Sequence, residues 1–135
     1  QEIMDYVKKF QDHSTSNPSS ISQKAALQAL SSSEESILAM REEFKQRRDL
    51  LMSLMDKIPG ITYIKPEGAF YLFCDFSALG DSQDVARRIL NDVNVALIPG
   101  DGFGAPGFMR LSFSTSKERI QEGVKRLAGW IAKNR

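Results

Sequence analysis

The hydrophobic pattern of this sequence changes its period at Pro59-Gly60, and that change limits what the chain can fold into. Before it, apolar residues recur every three or four positions from Ile37 to Ile58, which is the spacing of a long helix. A capping box of Ser32 and Glu35 starts this helix. After it, residues 61–64 and 69–76 are rich in β-branched and aromatic side chains and flank a turn, so they predict two antiparallel strands. A chain with both periods packs helices against a sheet.

The other segments extend the same alternation of helices and strands. Residues 1–10 and about 19–30 have helical spacing, and another helix is predicted from Asp81 or Ser82. Residues 93–98 and 108–113 predict two more strands, joined by a glycine-rich loop at 99–107. A capping box of Thr115 and Glu118 opens a last helix. The predicted fold is α/β of the layered α+β kind, with a small sheet of about four strands flanked by helices and a long helix on its N-terminal side.

Composition narrows the class of protein. A chain of 135 residues with 41% hydrophobic content is long enough for one core, so we predict a single domain over residues 1–135. A net charge of +1 argues against nucleic acid or an anionic membrane as a partner. The sequence shows neither an apolar run of ~18 residues nor a signal peptide pattern, so we expect a cytoplasmic protein. The single cysteine, Cys74, is expected to be a buried thiol, and we expect no metal site.

Four features that could carry chemistry have simpler explanations. The glycine-rich segment 100–104 precedes a strand, whereas a phosphate-binding loop leads into a helix, so a tight connection with special backbone angles is favoured. Ser114 and Lys117 have the Ser-x-x-Lys spacing of serine acylases, but helix capping explains the same residues. The single histidine, His13, has no serine or aspartate partner at a recognisable offset. Trp130 is expected to pack within the last helix.

Arg110 is the residue that the pattern singles out. Strand alternation places its side chain on the face opposite to Met109 and Leu111, directly after the glycine-rich loop. A guanidinium there can bind a carboxylate through two parallel hydrogen bonds, which an ammonium does poorly. By residue type alone a surface or ion-paired arginine is the more common outcome, so both interpretations stay open at this point.

Five motifs, in order and in register, carry a resemblance to a known family. They span about residues 11–132 and consist of His13–Pro18, Phe44–Asp49, Pro66–Tyr71, Pro99-Gly100 with Phe103-Gly104 and Gly107, and Arg110–Ser116. The sequence resembles the C-terminal portion of the class I/II pyridoxal phosphate-dependent aminotransferases. Within that family it is most similar to the bacterial aspartate aminotransferases.

The resemblance implies the small domain of fold type I, which closes over pyridoxal 5'-phosphate held by a larger domain. In the family, the arginine in the position of Arg110 binds the substrate α-carboxylate, and Phe70 is expected near the mouth of the active site. The implied activity transfers an amino group between an L-amino acid and a 2-oxo acid, with aspartate as the favoured amino acid. The resemblance also implies a homodimer, with residues 14–17 near its interface.

The family's Schiff-base lysine has no counterpart in this sequence. None of the lysines, including Lys24, Lys65 and Lys117, stands in the family's motif, and the cofactor needs that lysine as its covalent anchor. We therefore expect the cofactor-binding domain to lie upstream of Gln1, no catalytic or cofactor-binding residue in this chain, and no activity from the chain alone. The alternatives are a non-catalytic relative that senses a carboxylate through Arg110, and an interaction domain in which Arg110 pairs with a protein carboxylate.

Overall fold

A computed structural model describes residues 1–134 of the chain. The chain forms two compact units, Gln1–Ser36 and Ile37–Arg135, and each is described by itself. The expectation of one domain over residues 1–135 stays a prediction. No helix within residues 1–134 combines the length and the apolar character needed to cross a lipid bilayer.

The first unit is helical. It contains α1 (Glu2–Ser14), α2 (Ser20–Ser31) and the first residues of α3 (Glu35–Met55). Ser19 caps α2, and its hydroxyl accepts a hydrogen bond from the backbone N–H of Ser22. The predicted capping box at Ser32 is wrong, because its hydroxyl donates to the carbonyl of Gln28 at 2.7 Å and so serves the end of α2.

The second unit contains a four-stranded antiparallel sheet. Its strands are β1 (Thr62–Tyr63), β2 (Tyr71–Asp75), β3 (Ile98–Pro99) and β4 (Phe108–Ser112), in the spatial order β1-β2-β4-β3. Two helices, α4 (Ser82–Val93) and α5 (Lys117–Lys133), complete this unit with the rest of α3. Short 3-10 turns occupy Ser77–Leu79 and Gly100–Phe103. This small sheet flanked by helices confirms the predicted fold class.

One face of the sheet forms the core. Leu72 and Cys74 of β2 and Met109 and Leu111 of β4 are buried there in a single hydrophobic cluster with residues of the helices. The helical members are Leu51 and Met55 of α3, Val85, Ala86 and Ile89 of α4, and Ile120, Val124, Leu127, Trp130 and Ile131 of α5. Alternate residues of β2 and β4 are buried, so the side chains on the other face of the sheet remain partly exposed.

Cys74 and Trp130 have the structural roles predicted for them. The Cys74 side chain is fully buried, and burial raises the pKa of its thiol to about 12. Trp130 is buried in the core, and its indole N–H donates to a carboxylate oxygen of Asp92 at 2.7 Å. Both residues therefore pack in the core, as the sequence predicted.

Three element boundaries differ from the sequence predictions. The strand predicted at 93–98 shrinks to Ile98–Pro99, because Asn94 ends α4 in the left-handed conformation, with φ 54°, and the next three residues pair with no strand. The last helix is capped by Ser116 and not by Thr115. The long helix α3 ends at Met55, and the first part of its apolar stripe is exposed, with Ile37 and Met40 at 60% and 59%.

Candidate functional site

Arg110 lies on the face of the sheet opposite to the core. Its neighbours Met109 and Leu111 are buried, while the Arg110 side chain is partly exposed, as strand alternation predicted. In the antiparallel register Arg110 stands directly opposite Phe73 of β2 and Ile98 of β3. Residues that face each other in this way share one side of a sheet, so Arg110 is the central member of a row that is otherwise apolar.

Two aromatic rings contact the guanidinium of Arg110. Its central carbon is 5.1 Å from the ring centroid of Tyr71 and 5.5 Å from that of Phe103. With Phe73, these residues line an open pocket of about 170 Å³. Cation–π contacts of this kind hold a guanidinium through the faces of the rings and use none of its N–H donors. The donors are therefore left for a group that enters the pocket.

Arg110 has no carboxylate partner among residues 1–134. Seven ion pairs occur in this part of the chain, and none involves Arg110. Two acids belong to elements near the pocket, and each has its own donor. Asp75 accepts hydrogen bonds from the side chain and then from the backbone N–H of Ser77, the latter at 2.9 Å, and these lower the pKa of its carboxyl. Asp101 accepts from the Ser82 hydroxyl. Arg110 therefore forms no ion pair with any carboxylate of residues 1–134.

The glycine-rich loop forms the tight connection that the sequence predicted. A Cβ atom on Gly100 would lie 2.2 Å from the carbonyl oxygen of Ala105, so only glycine fits there. Gly104 closes the 3-10 turn with φ 72°, and Gly107 enters β4 with φ 82°. The loop runs from β3 into β4, which delivers Phe103 to one side of Arg110.

Phe70 does not line the Arg110 pocket. Its side chain is 52% exposed, and its ring meets the Tyr71 ring edge-on, with 6.4 Å between the centroids. Its place near the mouth of an active site stays a prediction. The residues that sequence reasoning missed are Tyr71, Phe73 and Phe103. Alternation in β2 could have placed the first two on one face of their strand, whereas the position of Phe103 depends on the fold of its loop.

The other residues weighed in the sequence lie apart from this pocket. Contrary to expectation, Ser114 is not the cap of α5, because Ser116 takes that position, and the backbone N–H of Ser114 donates to the Ser112 hydroxyl at 3.2 Å. Lys117 is engaged by Glu43 at 3.2 Å and by Gln46 at 2.6 Å. Glu43 has a lowered pKa because Arg47 and then Lys117 hydrogen-bond to it. His13 is exposed near the end of α1. No group of three potential metal ligands occurs within residues 1–134.

Comparison with known proteins identifies the family. The family model "Aminotransferase class I and II" matches residues 1–127, and the chain belongs to this family. It is 41% identical over 133 residues to the probable aspartate/prephenate aminotransferase of Aquifex aeolicus, covering 94% of this chain and 34% of that protein. It is 42% identical over 121 residues to the aspartate aminotransferase of Geobacillus stearothermophilus, covering 85% of this chain and 31% of that protein. The predicted resemblance to bacterial aspartate aminotransferases is confirmed.

Solved structures agree with this assignment. The aspartate aminotransferase of Thermotoga maritima superposes with a TM-score of 0.84 at 39% identity, covering 92% of this chain and 32% of that one. The Thermus thermophilus aspartate aminotransferase with maleate gives a TM-score of 0.82 at 36% identity, covering 90% and 32%. The chain thus spans about a third of the length of these relatives.

The residues around Arg110 do not form a site for pyridoxal phosphate, the cofactor that the family uses. The cofactor is anchored by a lysine amine, and its phosphate needs a set of donors. The Arg110 pocket has one cation and no lysine among its lining residues, and Lys117 already has two partners. What the pocket offers is a single guanidinium between aromatic walls, which suits a carboxylate.

Proposed function

We propose that this chain supplies the substrate-binding arginine of a pyridoxal phosphate-dependent aminotransferase of the aspartate aminotransferase kind. The cofactor would be held by residues outside this chain, as expected from the missing Schiff-base lysine. The observation that carries the proposal is the Arg110 guanidinium, which contacts two aromatic rings and has no carboxylate partner within residues 1–134. Membership of the aminotransferase family supports the reaction class.

The geometry around Arg110 explains what this residue does for such a reaction. A guanidinium with free N–H donors binds both oxygens of a carboxylate, which fixes the orientation of the carbon attached to it. Amino acids and 2-oxo acids share that carboxylate, so one arginine serves both directions of the transfer. The rings of Tyr71 and Phe103 contact the guanidinium without using its N–H donors, so those donors stay available to the carboxylate.

Aspartate is our proposed amino acid substrate. Its support is the similarity to relatives named aspartate aminotransferase and to one solved with maleate, a dicarboxylate. The pocket described above accounts for one carboxylate. A second cation for the other carboxylate would come from residues outside this chain.

Replacement of Arg110 by lysine in the intact enzyme tests the proposed function. Lysine keeps the charge but loses the two-pronged hydrogen bond, so we expect kcat/KM for amino acid and 2-oxo acid to fall about 10- to 100-fold. Arg119→Lys is the matched control, because Arg119 is exposed on α5 and forms no ion pair within residues 1–134. An unchanged kcat/KM in Arg110→Lys would overturn the proposal.

We also propose that the intact enzyme is a homodimer in the cytoplasm. The first unit leaves large apolar side chains uncovered, with Tyr6 66%, Phe10 77% and Leu30 88% exposed, and apolar surface of this kind marks contact with further protein. Sedimentation of the intact enzyme tests the assembly. A monomer at micromolar concentration would contradict it.

A non-catalytic carboxylate sensor is the second candidate function. It is favoured by one observation, the lack of a lysine in the lining of the Arg110 pocket. The two functions differ in one measurement, because a sensor would bind dicarboxylates through Arg110 without transferring an amino group. Transamination by the intact protein would exclude the sensor.

A further inference from the structure

The ring of Phe103 contacts Arg110 although little burial holds it there. The side chain is 56% exposed, and its ring meets the Phe73 ring edge-on at a centroid distance of 6.3 Å. An exposed aromatic side chain normally samples several rotamers, so its position over a guanidinium depends on where the backbone puts it. For Phe103 the backbone is the 3-10 turn Gly100–Phe103.

This turn is fixed by backbone hydrogen bonds and by one side-chain contact. The N–H of Gly104 donates to Asp101 and the N–H of Ala105 donates to Gly100, each at 3.0 Å. These bonds shape the turn, and the ends of its loop are joined to the sheet by the pairing of Pro99 with Met109 and by the Gly107 carbonyl, which accepts from the Phe76 N–H at 2.9 Å. Within the turn itself, a side-chain link to the rest of the unit is Asp101, whose carboxylate accepts a hydrogen bond from the hydroxyl of Ser82 in the first turn of α4.

Ser82 is unusual among the residues that the structure describes. It is 1% exposed, and it is the one buried polar side chain among residues 1–134. A buried hydroxyl without an acceptor is destabilising, so the contact with Asp101 is strongly specified. Its N-cap neighbour Asp81 already satisfies the first N–H groups of α4, so helix capping does not require the Ser82 hydroxyl.

We propose that Phe103 is a positioning residue for the Arg110 carboxylate site, and that the Ser82–Asp101 hydrogen bond holds Phe103 over the guanidinium. This inference rests on the proposed function of Arg110. Phe103, together with Tyr71, restricts the positions that the guanidinium can take, and Ser82 acts through the turn without touching the substrate. Loss of either contact leaves Arg110 charged but mobile, which weakens carboxylate binding more than it slows the reaction of bound substrate.

The first test compares Phe103→Leu with Phe103→Tyr in the intact enzyme. Leucine removes the π-face, so we expect KM for aspartate and the Kd for maleate to rise about fivefold with kcat within twofold. Tyrosine keeps the ring, so in Phe103→Tyr we expect both values to rise less than in Phe103→Leu. In NMR spectra of the enzyme, the Nε–H signal of Arg110 should exchange with water faster in Phe103→Leu only.

The second test asks whether Ser82 and Asp101 act through one contact. Ser82→Ala and Asp101→Ala should each raise KM about threefold, and the double variant should be no worse than either single variant. Ser53→Ala is the control, because that exposed hydroxyl only donates to the Leu50 carbonyl on α3. If Ser82→Ala fails to fold, Asp101→Ala tests the same contact from the loop side.

The outcomes separate this inference from the proposed function. If Arg110→Lys impairs binding while Phe103→Leu leaves KM and Nε–H exchange unchanged, the inference is wrong and the proposed function stands. Additive effects of Ser82→Ala and Asp101→Ala would likewise overturn the part played by their hydrogen bond. If Arg110→Lys has no effect, the proposed function fails and this inference falls with it.

Discussion

At the scale of the residue, the neighbouring side chains determine whether an arginine is oriented to bind a ligand. Arg110 and Arg119 have the same side chain, and neither has an ion-pair partner within residues 1–134. Arg119 is exposed on a helix, whereas Arg110 lies on a sheet between the rings of Tyr71 and Phe103. Only Arg110 is oriented before a ligand arrives, so binding there loses less conformational entropy.

Cys74 gives a prediction about pH. Burial raises the pKa of its thiol to about 12, so the unfolded chain loses this proton at a lower pH than the folded chain does. The protonated Cys74 thiol contributes fully to the free energy of unfolding at any pH below the pKa that this thiol has in the unfolded chain. That contribution is lost as the pH rises from there toward 12. The free energy of unfolding of the chain, measured with urea from pH 8 to 11, should therefore fall more steeply for the unchanged chain than for Cys74→Ala. Equal slopes would contradict this burial.

At the scale of the element, the start of α5 gives a clear test. The Ser116 hydroxyl accepts from the backbone N–H of Arg119, so Ser116→Ala should lower the free energy of unfolding by about 1 kcal/mol. Thr115→Ala is the matched control, and it should change the free energy by less than about 0.5 kcal/mol. Urea unfolding of both variants decides between them. If Thr115→Ala lowered the free energy of unfolding more than Ser116→Ala, the cap would be Thr115, as the sequence predicted.

The strands show how far the sequence could predict the fold. β2 and β4 were predictable, because their alternation follows directly from one buried and one open face. β3 was not, because Val95 and Leu97 are apolar through packing on the core and not through strand pairing. The cap at Ser116 instead of Thr115 is a shift of one residue, which two adjacent hydroxyl side chains leave undetermined in the sequence.

The candidate site was also predictable in part, because strand alternation places Arg110 on one face of the sheet. The face of Arg110 follows from the period of β4, and its register opposite Phe73 follows only once the strand order is known. Phe103 could not be placed from the sequence, because its position depends on the 3-10 turn and on the contact between Ser82 and Asp101. Those two residues are 19 positions apart and share no local pattern.

At the scale of the whole molecule, the chain should not bind the cofactor by itself. No lysine lines the Arg110 pocket, and Lys117 is held by Glu43 and Gln46. When the purified chain is mixed with pyridoxal phosphate and reduced with borohydride, mass mapping should therefore show only partial labelling spread over several exposed lysines. A stoichiometric adduct at one lysine, together with turnover of aspartate, would mean that the chain holds its own cofactor.

The structure of the intact enzyme with bound maleate tests the role of Arg110 most directly. We predict that both oxygens of one maleate carboxylate lie about 2.7–2.9 Å from guanidinium nitrogens of Arg110. The guanidinium should still contact the rings of Tyr71 and Phe103, as it does in the chain alone. A structure in which maleate is held by other cations, with Arg110 paired to a protein carboxylate, would contradict the assignment of Arg110 as the substrate-binding residue.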